Sequence, residues 1–194
     1  MEKLTRESLY TLEAYAEARE AFRAQVMDHK RDRRLLLGTN AILLFEDHLT
    51  MKYQVQEMLR IERIFEAAGI NEELEAYNPL IPDGSNWKAT FMVEFPDPAE
   101  RQAMLATLVG IEDCVWLQIG DGERIQPIAD EDLERSDESK TSAVHFLRFE
   151  LSQADVAALR AGADLAAGID HDNYKVEVRP VAKNIRDSLL NDLD

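Results

Sequence analysis

The chain has 194 residues, 45% of them hydrophobic, which is enough to bury a core and makes disorder a poor description. Its formal net charge is −16, so the phosphate backbone of a nucleic acid would repel it and nucleic acid is not expected as a partner. One cysteine, Cys114, excludes a disulfide framework or a cysteine-based metal site within the chain; it is expected as a small buried apolar residue.

The acidity is uneven. Residues 1–70 carry 11 Lys/Arg and 12 Asp/Glu, a net of −1; residues 71–194 carry a net of −15. Such an excess fits a solvated surface or a docking face for a basic protein. The opening MEKLTRESLY lacks the layout of a signal peptide, and runs such as Ala41–Phe45 are too short to span a bilayer, so a cytoplasmic, non-membrane protein is expected.

In chain order, residues 6–33 hold no Gly or Pro and predict a helix. It ends in the basic run His29–Arg34, which complements the helix dipole or holds an anion. Gly38-Thr39-Asn40 turns the chain, and Ala41–Glu46 predicts a strand. Thr50–Ala68 predicts a second helix stopped by Gly69, followed by a short helix at Asn71–Tyr77 and a Pro-rich loop to Asn86.

A pattern then occurs twice. Lys88–Phe95 predicts a strand, and Asp97-Pro98-Ala99-Glu100 predicts a helix start, with Asp as N-cap, Pro in the first turn and Glu at N3. GIED at 110–113 leads into the strand Cys114–Ile119. In the second copy Ala143–Leu151 is the strand and Ser152–Asp155 the cap. GIDH at 168–171 leads into the strand Tyr174–Val178. Arg124–Ile128 is a candidate hairpin strand, Asp130–Glu138 an acidic loop or short helix, and Ala182–Leu190 a short amphipathic helix. Tandem strand–helix–strand units predict an α+β fold. Residues 87–194 would form a ferredoxin-like antiparallel sheet, and 1–86 a helical N-terminal region with one strand packed onto it.

Two positions stand out. On ~100° steps, Met51, Val55, Met58, Ile61 and Phe65 form an apolar stripe onto which Glu62 projects, with Glu57 on its shoulder. A carboxylate in a core needs a partner, and Arg33, Arg34 and Arg148 are available. Alternation along Ala143–Leu151 places His145 with Leu147 and Phe149. Such a residue is a hydrogen-bonded core histidine or a ligand. Glu46, Glu57, Glu62, His145 and His171 are ligand types suited to iron, manganese or zinc, yet no pair has metal-binding spacing. No phosphate loop, nucleophile elbow or activated cysteine is present, so no reaction is assigned and catalytic residues stay unknown.

Six stretches (HKRDRR at 29–34, FED at 45–47, QVQEMLRIERI at 54–64, YNPLIPD at 77–83, KTSAVHFLRFE at 140–150 and GIDH) resemble a bacterial family of unknown function, domain of unknown function 3501, over nearly the whole chain. The resemblance implies genes that neighbour those of rubrerythrin and iron–sulfur oxidoreductases, and hence a role beside peroxide reduction or electron transfer. It carries no catalytic residues. Two functions are expected from these observations. One is an accessory protein that binds a redox partner or its own copy; the alternative is a small metal-binding protein or metal-dependent enzyme using a Glu/His site.

Overall fold

The structure, a computed structural model, describes residues 2–133, 135–136 and 139–194. The elements run α1 (Leu12–Arg31), β1 (Arg34–Leu37), β2 (Ala41–Glu46), α2 (His48–Glu62), α3 (Ala67–Tyr77), β3 (Asn86–Val93), α4 (Pro98–Thr107) and β4 (Val115–Ile119). They continue with β5 (Arg124–Ile125), β6 (Ile128–Ala129), β7 (Val144–Glu150), α5 (Gln153–Arg160), β8 (Leu165–His171), β9 (Tyr174–Val178) and α6 (Lys183–Leu190).

The strands form two antiparallel sheets, in the orders β1-β2-β3-β7-β6 and β5-β4-β8-β9. Strand, helix and strand do follow one another twice, as β3-α4-β4 and β7-α5-β8. Each unit, however, starts in the first sheet and ends in the second. β3 pairs with β7, setting Phe91 opposite His145, and β4 pairs with β8. The expected single ferredoxin-like sheet is therefore replaced by two. GIED and GIDH do not match either. Gly110 has φ 82° ahead of a 3-10 turn, Ile111–Cys114, whereas Gly168 lies inside β8. A side chain at Gly168 would strike the Trp116 ring, so close packing of sheet against indole requires glycine there.

Both sheets bury residues in one core. β3 alternates, turning Trp87, Ala89, Phe91 and Val93 inward, and β7 turns His145, Leu147 and Phe149 the same way. β4 and β8 add Val115, Leu117, Ile119, Leu165, Ala167 and Ile169. Each fully buried Leu, Ile, Val or Phe contributes roughly 1.5–3 kcal/mol, so the joint face is the main source of stability. Tyr174 of β9 ties the sheets together by donating to Leu37 O of β1 at 2.7 Å while accepting from Asn40 N at 3.2 Å.

The N-terminal helices have satellite cores. Tyr15, Phe22 and Val26 of α1 pack with Leu49 and Tyr53; Met51, Val55 and Leu59 of α2 pack with Leu4, Leu74 and Ile81. α1 starts at Leu12, later than expected, because Thr11 caps it by accepting from Ala14 N. α2 stops at Glu62, earlier than expected, where Arg63 takes the left-handed conformation at φ 55°. Gly69 lies inside α3 and terminates nothing. The caps at Asp97 and Ser152 form as predicted, accepting from Glu100 N and Asp155 N. Arg124–Ile128 is two short strands, one in each sheet, and no helix forms among the described residues of 130–138. Glu134, Asp137 and Glu138 of that acidic stretch lie outside the described residues. No helix among the described residues is long and apolar enough to cross a membrane.

Candidate functional site

β7 carries His145 into the interior with no exposed surface, under the ring of Phe91. A carboxylate faces each side of the imidazole. Nδ1 lies 2.6 Å from Asp130 Oδ2. Asp130 follows β6, adopts φ 48°, and is fixed by Phe146 N, which donates to Oδ1 at 2.9 Å. Aspartate is among the few residues that tolerate that left-handed conformation. Nε2 is surrounded by oxygens: Thr141 Oγ1 at 2.9 Å, Ser142 O at 3.1 Å and Glu112 Oε2 at 3.7 Å.

Glu112 belongs to the 3-10 turn after Gly110 and is 7% exposed. Its carboxylate accepts from Thr141 Oγ1 at 3.1 Å and from the Ser136 hydroxyl. Arg135 approaches Asp130 at 3.7 Å. Burial raises the pKa of neighbouring Asp113, and the charges of Glu112 and Asp130 raise it further, against an opposing effect of His145. With a proton on Nδ1 donated to Asp130, Nε2 faces the Thr141 hydroxyl, whose single proton can serve either Nε2 or Glu112 Oε2. Glu112, Asp130 and His145 each offer a ligand atom, all within 4.8 Å of one another.

A second polar network is structural. Arg33 is 1% exposed and grips Asp192 with two nitrogens, Nη2–Oδ2 at 2.5 Å and Nη1–Oδ1 at 3.2 Å. Its remaining protons reach Phe45 O at 2.9 Å and Glu46 O at 3.1 Å, and Asp47 Oδ2 lies 3.4 Å from Nε. The two carboxylates respond oppositely. Asp47 has its pKa lowered because Arg33, Thr50 N and His29 outweigh its burial, and His29 Nε2 lies 2.5 Å away. Asp192 has its pKa raised because burial outweighs Arg33.

The residues singled out from sequence do not converge. Glu46, the last residue of β2, is buried and accepts from the Thr50 and Thr90 hydroxyls at 2.6 Å each. Glu57 accepts from Tyr15 Oη and Arg19 Nε, both at 2.7 Å; Arg19 is the main cause of a pKa pushed down from 4.5 to about 2. Glu62 is exposed at the end of α2 and needs no buried partner, because the helix stops there and Ile61 and Phe65 leave the expected stripe for solvent. His171 sits near the surface with Nε2 at 3.2 Å from Val109 O. Arg34 is exposed, and Arg148 pairs with Glu131 and Glu150. Cys114 is half-buried at the edge of the core, its thiol pKa raised by burial and by Asp113. Of the five candidate ligands, His145 alone belongs to the cluster. Glu112 and Asp130 escaped the sequence reading, although both stand at turn positions beside strands.

The surface carries one further feature. Phe65 is 72% exposed and Ile61 58% exposed. Phe65 edges an open groove of about 630 Å³ lined by Leu9, Leu12, Leu59, Ile64 and Ile70, with Arg6, Glu7 and Glu13 as its charged lining residues. Glu62 and Glu66 flank Phe65 in the chain.

The whole molecule is similar to a solved structure, a novel protein of unknown function from Burkholderia pseudomallei K96243. Identity is 51%, 100% of each chain is covered, and the TM-score is 0.95. Among curated proteins, none matches. A family model described as "Protein of unknown function (DUF3501)" matches residues 3–193, in accord with the stretches quoted above. The chain belongs to that family.

Proposed function

We propose that this protein is a non-catalytic accessory protein that docks a protein partner through the groove beside Phe65. The carrying observation is the exposure of Phe65 at the lip of an apolar groove, with Ile61 also exposed four residues before it in the chain. Large apolar side chains left in solvent beside a concavity mark interaction sites. Glu7 and Glu13 outnumber the one cation on the lining, Arg6, and so favour a partner whose aliphatic or aromatic side chain is flanked by Lys or Arg. The excess negative charge of residues 71–194 adds attraction at longer range, screened by salt. The gene neighbours implied by the family resemblance make a rubrerythrin or an iron–sulfur oxidoreductase the first partners to test.

A photo-crosslinking amino acid at position 65 tests this, with position 175 on the far strand β9 as control. The expected result is a crosslink to one partner protein from position 65 alone, weakened by salt and by Phe65→Glu in a binding titration. Identical crosslinks from both positions refute the reading, as does no crosslink from either. A crosslink solely to a second copy replaces the hetero-partner with self-association.

A further inference from the structure

We propose that Glu112, Asp130 and His145 form a binding site for one divalent transition-metal ion. His145 Nε2 and Glu112 Oε2 would be direct ligands and Asp130 the residue that orients the histidine.

An imidazole nitrogen closed in by three oxygens, one of them a carboxylate, occupies the environment of a bound cation or a donated proton. The 3.7 Å between Nε2 and Glu112 Oε2 is too long for a hydrogen bond. It does suit two ligands of one ion, since metal–nitrogen and metal–oxygen bonds of roughly 2.0–2.2 Å separate ligand atoms by about 3–4 Å. Nδ1, 2.6 Å from Asp130 Oδ2, already has the arrangement in which a carboxylate fixes a ligating histidine. Thr141 Oγ1 and Ser142 O border the same space and are further oxygen donors.

Charge points the same way. Glu112, Asp113 and Asp130 gather around His145, and Arg135 lies 3.7 Å from Asp130. A divalent ion would offset that excess of negative charge in a nearly closed setting. Mixed imidazole and carboxylate donors favour zinc, manganese(II) or iron(II) over calcium or magnesium, which take oxygen alone. The site lies apart from the Phe65 groove, sharing no residue with it. Failure of one proposal therefore leaves the other standing.

The test uses full-length protein without an affinity tag, stripped with chelator, and titrated separately with zinc and manganese(II) by calorimetry and thermal shift. One ion per chain and a raised Tm are expected. Cobalt(II) supplies an optical readout that a purely structural role would not produce: visible d–d bands that vanish in Glu112→Gln. Asp130→Asn keeps the direct ligands and is expected to bind about 10–100-fold more weakly, as for loss of an orienting carboxylate. Circular dichroism verifies that each variant is folded. If Glu112→Gln does not fold, the wild-type titration still decides. The proposal fails if wild-type protein takes up no stoichiometric metal, or if a folded Glu112→Gln binds it unchanged.

Discussion

Replacing Arg33 by methionine isolates the cost of an unpaired charge in the interior. The substitution keeps an apolar stem of similar length and removes the guanidinium. Asp192, 5% exposed, then loses both charged hydrogen bonds, and Phe45 O and Glu46 O lose a donor each. Removing one partner of a buried ion pair costs about 3–5 kcal/mol. That is a large share of the roughly 5–15 kcal/mol that holds a domain folded. For a chain of this length about 2–4 °C of Tm goes with each kcal/mol, so a fall of roughly 6–20 °C is expected. The pH dependence carries the mechanism. Burial already raises the Asp192 pKa in the presence of Arg33, and without Arg33 it rises further. A raised acid favours folding while protonated, and that contribution is lost as pH rises through its folded value. Arg33→Met should therefore lose most stability near neutral pH and recover part of it in mild acid. Arg33→Met with Asp192→Leu removes the unpaired charge and should be more stable than the single variant. Urea unfolding followed by circular dichroism at two pH values measures each quantity. A loss under about 1 kcal/mol, or a loss independent of pH, would show that Asp192 finds another partner or water.

Two further outcomes test other parts of the structure. Glu57 has its pKa depressed from 4.5 to about 2, so it stabilises the fold above about pH 4.5 and that stabilisation disappears as pH falls toward 2. Glu57→Gln should remove on the order of 1 kcal/mol at neutral pH, with Arg19 partly exposed, and the difference from wild type should close in acid; a gap that persists at pH 2 refutes the ion-pair account. Arg63 holds a left-handed conformation at φ 55° that costs a side-chain-bearing residue roughly 1–2 kcal/mol. Arg63→Gly should therefore raise the denaturation midpoint slightly, and a clear decrease would show that the arginine side chain holds the α2–α3 turn.

The sequence was legible where a local rule had no competitor. Asp97 before Pro98, and Ser152 before Gln153, start helices through side-chain caps that need no tertiary help. Alternation in β7 put His145 on the buried face because one face of that strand meets a continuous core. Three misreadings have physical causes. Arg63 ends α2 in a conformation no local pattern announces, so an uninterrupted helix carried Glu62 into an imagined core. β8 was missed because Ala166, Ala167 and Gly168 have weak strand propensity and are held in place by pairing with the neighbouring strands. Pairing of strands across a sheet is not encoded in periodicity, so two units of matching order gave no sign that each crosses between sheets. For the same reason Glu112 and Asp130 could not be joined to His145: their meeting depends on a loop and a 3-10 turn converging on β7 from opposite directions.

The grip of Arg33 on Asp192 also has a temporal side. The two residues are separated by 159 positions. At a synthesis rate of about 5–20 residues per second, the guanidinium waits roughly 8–30 s before the ribosome has made its partner. Through that interval β1 and β2 can pair and give Arg33 the partners Phe45 O, Glu46 O and Asp47, but not its two-nitrogen contact to a carboxylate. Acquisition of α6 and Asp192 is thus the event that lets this corner of the molecule dry out. Chains cut before residue 192 should leave that corner hydrated.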